Sequence, residues 1–208
     1  MLTVTRLEPQ KKNPQRLNVY LDGEFAFGIS RAAAPWLNEG SQLSPENITD
    51  LHLKDQFEGA YQRALNFLSF RIRTEKEIQQ NLQKHEISDD VINDVLEKLR
   101  GVSLVNDQEF AKEWVDNRNH FHPRGKRALS SELFQNGISG QIIEETLSVL
   151  DERELAFDCA RQKITKMNNL EQKKFQAKLS SYLNRRGFPY SMIKEVVSTL
   201  WGEMEKQL

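Results

Sequence analysis

Only one cysteine, Cys159, occurs in the 208-residue chain, so no internal disulfide can form and a reducing compartment is expected. It sits among Leu155, Phe157 and Ala160, a setting for a buried core thiol rather than a nucleophile. No apolar run approaches the roughly 18 residues that a membrane-spanning helix needs. The start, MLTVTRLEPQKK, also lacks the charged and then apolar segment of a secretion signal. A cytoplasmic protein without membrane contact is the expectation. His120-Phe121-His122 is the single close histidine pair, with no CxxC, no HExxH and no acidic partner at ligand spacing. Gly125-Lys126 has no glycine five residues earlier to complete a phosphate-cradling loop. Asp89-Asp90 and Glu144-Glu145 fall in the first turn or on the polar face of amphipathic helices, where solvation explains them. With no Ser/His/Asp array either, no metal, no cofactor and no catalytic residue are expected, and the chain reads as a binder.

What the sequence does contain is a repeat. Ile78, Leu82, Ile87, Ile92, Leu96 and Leu99 reappear 51 residues further on as Leu129, Leu133, Ile138, Ile143, Leu147 and Leu150. After 50 more they return as Leu179, Leu183, Phe188, Ile193, Val197 and Leu200, with no gap inside the window. A fixed period near 50 marks a repeat architecture whose units bury apolar faces and stack to present an extended surface. The expected fold is mainly α: three tandem three-helix units in an extended curved array, preceded by a small antiparallel β region.

Residues 1–43 carry that β region. Leu2 to Leu7 and Leu17 to Ile29 alternate and are rich in Val, Tyr and Phe. Asp22-Gly23 suits a type I′ turn, and Lys11 to Pro14 read as a loop, giving a three-strand sheet and a short helix. Ser44-Pro45-Glu46 opens a linking helix over 44–59, with serine as N-cap and proline at the first helical position. The repeats span 60–100, 106–150 and 152–205. In the first, Ala60 to Phe70 is one helix, Thr74-x-x-Glu77 is a capping box for the second, and the third starts near Ser88. Asn106-x-x-Glu109 caps the second repeat, where Phe110 and Trp114 share a buried helical face.

The net charge is −1, but the charge is unevenly spread. From Arg161 to Arg186 eight basic residues, among them Lys163 and Lys166, face Glu171 alone, whereas Glu75 to Glu113 holds ten carboxylates against five Lys and Arg. Such bipolarity fits a partner carrying both signs better than bare duplex DNA. Equivalent turns are basic: Arg71 and Arg73 in the first repeat, Arg118, Arg124, Lys126 and Arg127 in the second, Lys173, Lys174 and Lys178 in the third, with Arg185 and Arg186 after them. In a stacked array these fall along one side, as a track for phosphates or acidic protein surface.

At these residues the chain resembles the RecX family, regulatory proteins of the RecA recombinase. The first repeat carries Ala64-Leu65-x-x-Leu68-x-x-Arg71-x-Arg73-Thr74-x-x-Glu77-Ile78-x-x-x-Leu82. The second carries Asp107-x-x-Phe110-Ala111-x-x-Trp114, then Arg118, Gly125, Leu129, Glu132-Leu133 and Gly137-Ile138. Repeat three matches mainly through Arg186-Gly187-Phe188 and its apolar spacing. The resemblance implies a non-enzymatic modulator that lies in the groove of the RecA filament on single-stranded DNA and lowers ATP hydrolysis, strand exchange and repressor cleavage. It places the protein in DNA repair, homologous recombination and the SOS response. Direct DNA contact accompanies that reading, and a monomer is expected. The rival is a RecA-independent, sequence-nonspecific DNA-binding repeat protein, which would show steep salt dependence on naked DNA.

One position breaks the repeat. Gly137 and Gly187 stand where a helix stops in a left-handed conformation, and the aligned residue of the first repeat is Glu86. Glu86→Gly is expected to raise the melting temperature; an unchanged or lower value would count against the alignment at this turn.

Overall fold

The computed structural model describes residues 1–165, 167 and 170–205. Lys166, counted in the basic block, lies outside the described residues. The chain divides into two compact units, Met1–Val105 and a second beginning at Asn106.

The first unit opens with β1 (Leu2–Gln10), β2 (Asn13–Leu21), β3 (Glu24–Ser30) and β4 (Gln42–Leu43), antiparallel and in the order β3-β2-β1-β4. Asp22 and Gly23 both have positive φ, 47° and 93°, the type I′ geometry whose twist matches the flanking strands. The sheet has four strands rather than three, because Leu2 and Thr3 also pair with Leu43 and Gln42. A two-residue strand is too short to show alternation in sequence. Turns, not the expected short helix, fill Arg31 to Ser41. The first loop shrinks to Lys11-Lys12, since Asn13 and Pro14 already belong to β2. Pro14 is tolerated because β3 pairs with β2 only from Arg16 onward, so its missing N–H leaves no gap in that ladder.

A single helix, α1 (Pro45–Leu68), replaces the expected linking helix and separate first helix of repeat one, and it ends two residues short of Phe70. Ser44 caps it, accepting from the Asn47 N–H while the Asn47 side chain accepts from the Ser44 N–H. Gly59 alone costs a helix interior about 1 kcal/mol, which packing at both ends outweighs. Leu51 closes the sheet core of Val4, Leu17, Val19, Phe27 and Ile29, while Ala60 and Ala64 enter the core of the first repeat. Arg16 grips Asp55 with two hydrogen bonds, at 3.2 and 2.7 Å, and Asp55 Oδ1 also accepts from the Ser30 N–H at 2.7 Å. The sheet is thereby fixed to α1.

The first repeat is completed by α2 (Glu75–Gln83) and α3 (Asp89–Gly101). The second consists of α4 (Asp107–Phe121), α5 (Lys126–Gln135) and α6 (Gly140–Ser148), and the third of α7 (Glu152–Ile164), α8 (Gln172–Arg185) and α9 (Tyr190–Glu205). Each triplet has its own core. Of the repeat-defining positions all but Ile87 and Leu150 are buried, and those two are partly so. The turn into the last helix is the same three times over. Glu86, Gly137 and Gly187 take φ of 59°, 92° and 90°, and the next N–H returns to the carbonyl of Leu82, Leu133 or Leu183, as in a Schellman cap. Glu86 therefore adopts a conformation that costs a side-chain-bearing residue roughly 1 kcal/mol.

Repeats two and three meet backbone to backbone. The Gly125 N–H donates to the Arg186 carbonyl at 2.9 Å. A β-carbon on Gly125 would stand 2.6 Å from the Gly187 carbonyl oxygen, and one on Gly187 would stand 2.5 Å from the Ala128 β-carbon. Since φ at Gly125 is −68°, alanine there tests crowding alone. Gly125→Ala is expected to lower stability by about 2 kcal/mol, near 10 °C in melting temperature. A change within about 2 °C by calorimetry would show that the two backbones need no such approach.

Candidate functional site

The candidate basic residues lie around the turn between the first and second helix of each repeat, except Lys178 within α8 and Arg185 and Arg186 at its end, and the structure sorts them into two kinds. In the first repeat Thr74 is fully buried and caps α2, its hydroxyl accepting from the Glu77 N–H while Glu77 accepts from the Thr74 N–H. The same Glu77 carboxylate receives Arg71 at 2.5 and 3.2 Å and Arg73 at 3.5 Å. Arg73 lies flat over Phe67, 4.1 Å from the ring centre, and its side chain is only 16% exposed. A guanidinium stacked and ion-paired in this way holds the turn together.

The second repeat repeats the arrangement around a different acid. The Trp114 indole donates to Glu132 Oε2 at 2.9 Å, the Arg118 Nε donates to the same oxygen at 2.8 Å, and Arg124 pairs with Oε1. Arg118 also sits 4.5 Å over the Trp114 ring, which stacks on Phe110. Glu132 is 15% exposed, so its charge depends on these partners. Nothing in the repeat pattern exposes this role, because the residue aligned with Glu132 in the first repeat is Asn81 and the acid there, Glu77, aligns with Ala128. The Phe110 and Trp114 spacing does show their shared face; Phe110 is buried and Trp114 partly buried.

Lys126 and Arg127 are different. They open α5, whose first turn holds no acid, so two cations stand at the positive end of the helix dipole, where like charge costs stability. The Lys126 backbone N–H is satisfied by Glu152 at 2.7 Å, yet among the described residues neither side chain is held in an ion pair. The Gly125 to Arg186 bond places this helix start against the turn that carries Arg185 and Arg186. Arg185 is exposed and donates to Ser181 Oγ at 2.8 Å, and Arg186 lies 5.1 Å over Tyr182. Five cationic residues from two repeats, Arg124 included, thus flank one glycine junction along the backbone. Lys173, Lys174 and Lys178 stand exposed on α8, Lys174 pairing with Glu171 at 3.2 Å.

Beneath the junction Cys159 is fully buried, its thiol directed at the Pro123 carbonyl 3.6 Å away. Burial pushes its pKa up, so the sulfur stays a protonated core group at neutral pH.

Comparison with known proteins follows the same division of the chain. Residues 2–43 match a family model described as the Regulatory protein RecX N-terminal domain. Residues 60–99, 106–147 and 151–197 match the RecX first, second and third three-helix domains. A Regulatory protein RecX of Bacillus velezensis is 33% identical over 195 residues, covering 91% of this chain and 74% of that protein. One from Clostridium acetobutylicum is 31% identical over 210 residues and covers 97% of both. A crystal structure of regulatory protein RecX superposes with a TM-score of 0.77 at 27% identity, over 94% of this chain and 98% of that one. A crystal structure of RecX from Lactobacillus salivarius gives 0.64 at 26% identity, over 70% and 97%.

The acid at the centre of the second repeat can be tested on its own. Glu132→Gln keeps the size and removes the charge that Arg118 and Arg124 face, and is expected to cost about 1 to 3 kcal/mol. A urea midpoint equal to that of the unaltered protein would show that the cluster contributes nothing to folding.

Proposed function

The chain belongs to the RecX family of regulatory proteins, and on that premise we propose that it is a non-enzymatic inhibitor of the RecA recombinase. It binds in the groove of the RecA filament on single-stranded DNA and lowers ATP hydrolysis, strand exchange and repressor cleavage, acting in the cytoplasm. The observation that carries this reading is the Gly125 to Arg186 backbone bond, which sets Arg124, Lys126 and Arg127 of the second repeat beside the turn of Arg185 and Arg186 in the third. Of these, Lys126 and Arg127 are held in no ion pair among the described residues and occupy a helix end that stability alone disfavours.

Inhibition needs no chemistry from this protein. A filament that hydrolyses ATP passes through more than one helical state, and a ligand that bridges neighbouring protomers in one state slows every process requiring another. Its effect is bounded by its differential affinity for the two states. The acidic stretch from Glu75 to Glu113 and the cationic junction give the surface both signs, which suits a groove of protein lined at its base by phosphate. The exposed lysines of α8 also suit a phosphate backbone by themselves, and this favours the second reading, a RecA-independent DNA binder with a steep salt dependence.

The division of the cations determines which ones to alter. Arg124 faces Glu132, so a carboxylate there would disturb folding. Lys126, Arg127 and Arg185 replaced together with Glu should raise the concentration needed to halve the single-stranded-DNA-dependent ATPase of the matching RecA by about tenfold or more, with an unchanged melting temperature. Undiminished inhibition would exclude the junction as the binding surface. No inhibition by the unaltered protein, joined to tight salt-sensitive binding of naked DNA, would favour the second reading.

A further inference from the structure

Three copies of one supersecondary unit allow each surface to be compared with its counterparts, and the second repeat has an open groove between its second and third helices. The groove, of about 630 Å³, runs between α5 and α6. Phe134 and Gly140 flank its closed end, next to the turn that joins the helices, Ile143 and Leu147 supply its aliphatic floor, and Lys126 and Arg127 stand at the other end. Phe134 is 71% exposed although it is aromatic.

The other two repeats carry different side chains at the same place. In the first repeat the residues aligned with Phe134 and Gly140 are Gln83 and Asp89, and the Gln83 amide donates to Asp89 Oδ1 at 3.2 Å, bridging the two helices. In the third repeat the aligned residues are Asn184 and Tyr190, so a ring, itself 79% exposed, stands where the second repeat has glycine. The positions of Lys126 and Arg127 correspond to Glu75 and Lys76 in the first repeat and to Gln176 and Ala177 in the third. The cationic pair, the exposed phenylalanine and the missing side chain at Gly140 therefore occur together in one repeat and in neither of the others. Helix stability does not call for any of them: glycine in the first turn and cations at the positive end of the dipole both weaken α5 and α6.

We propose that the α5/α6 groove of the second repeat is the docking site for a segment of the partner protein that carries an apolar side chain and, about 10 Å away, one or more carboxylates. The spacing follows from the seven residues between Arg127 and Phe134 at 1.5 Å rise. It corresponds to three residues of extended chain or two turns of helix. The apolar side chain enters beside Phe134 over Ile143 and Leu147, and the carboxylates meet Lys126 and Arg127. The floor of Ile143 and Leu147 suits an aliphatic side chain, and Glu144 in the lining disfavours phosphate, so the occupant is protein rather than the DNA strand. This deepens the reading of the chain as a RecA modulator and rests on it, with the recombinase as the protein that supplies the segment.

The test copies the first repeat into the second: Phe134→Gln together with Gly140→Asp. Both positions are exposed, and a β-carbon on Gly140 meets nothing within 4 Å, so the variant should melt like the unaltered protein. Gly140→Tyr, which copies the third repeat, adds bulk beside Phe134 instead of a polar bridge. Each variant is titrated against the single-stranded-DNA-dependent ATPase of the matching RecA, and its affinity for labelled oligo(dT) is read by fluorescence anisotropy. The inference predicts that both variants need about tenfold more protein for half-inhibition, with oligo(dT) affinity unchanged. Full inhibition by the variants alongside full inhibition by the unaltered protein overturns the docking site and leaves the modulator reading intact. Loss of oligo(dT) affinity in step with inhibition overturns it in favour of DNA as the occupant. No inhibition by the unaltered protein removes the modulator reading, and the recombinase segment with it.

Discussion

Between the second and third repeats two backbones approach so closely that neither can carry a side chain at the point of contact. The Gly125 amide reaches the Arg186 carbonyl at 2.9 Å, and β-carbons on Gly125 or Gly187 would collide with backbone or with Ala128 at 2.5 to 2.8 Å. Gly125 is the N-cap of α5, and Gly187 is the left-handed stop at the end of α8. The junction is therefore made from two local features that each helix already requires. Around it the Pro123 carbonyl receives the Cys159 thiol and the Lys126 N–H donates to Glu152. The surface above it carries cations that no single repeat supplies.

Local structure was the most legible part of the sequence. The apolar register identified the buried positions of all three repeats because a helical face repeats whatever its neighbours do. The capping residues Ser44, Thr74 and Asn106 also marked helix starts, since side-chain acceptors for the first amides are a local need. Glu86 showed by misfit with Gly137 and Gly187 that a side chain had been placed in a left-handed turn, and its φ of 59° agrees. Where the reading departed from the structure, the deciding contacts were distant. Strand β4 exists only by pairing with the first residues of the chain. The α1 helix runs through Gly59 because its two halves are held by two different cores.

The candidate site was legible as a list of cations and illegible as a surface. Arg71, Arg73, Arg118 and Arg124 look equivalent in sequence to Lys126 and Arg127, but the first four close ion pairs with Glu77 or Glu132. A carboxylate that organises an arginine cluster has no periodic signature, as the misaligned positions of Glu77 and Glu132 show. Ion-paired arginines shape the turns, and among the described residues Lys126 and Arg127 beside them are held in no ion pair. The exposure of Phe134 and the openness of Gly140 became informative only when the three repeats were compared as folded units.

The central claim is that the second and third repeats present the filament-binding surface at their glycine junction. Amide hydrogen exchange of this protein, free and bound to RecA assembled on single-stranded DNA, tests that claim most directly, because it reads contact and stability residue by residue. The account predicts that binding slows exchange in the turns around residues 125 and 187 and through the first turns of α5. Unchanged exchange there, with protection appearing only in the sheet or in α1, would contradict it.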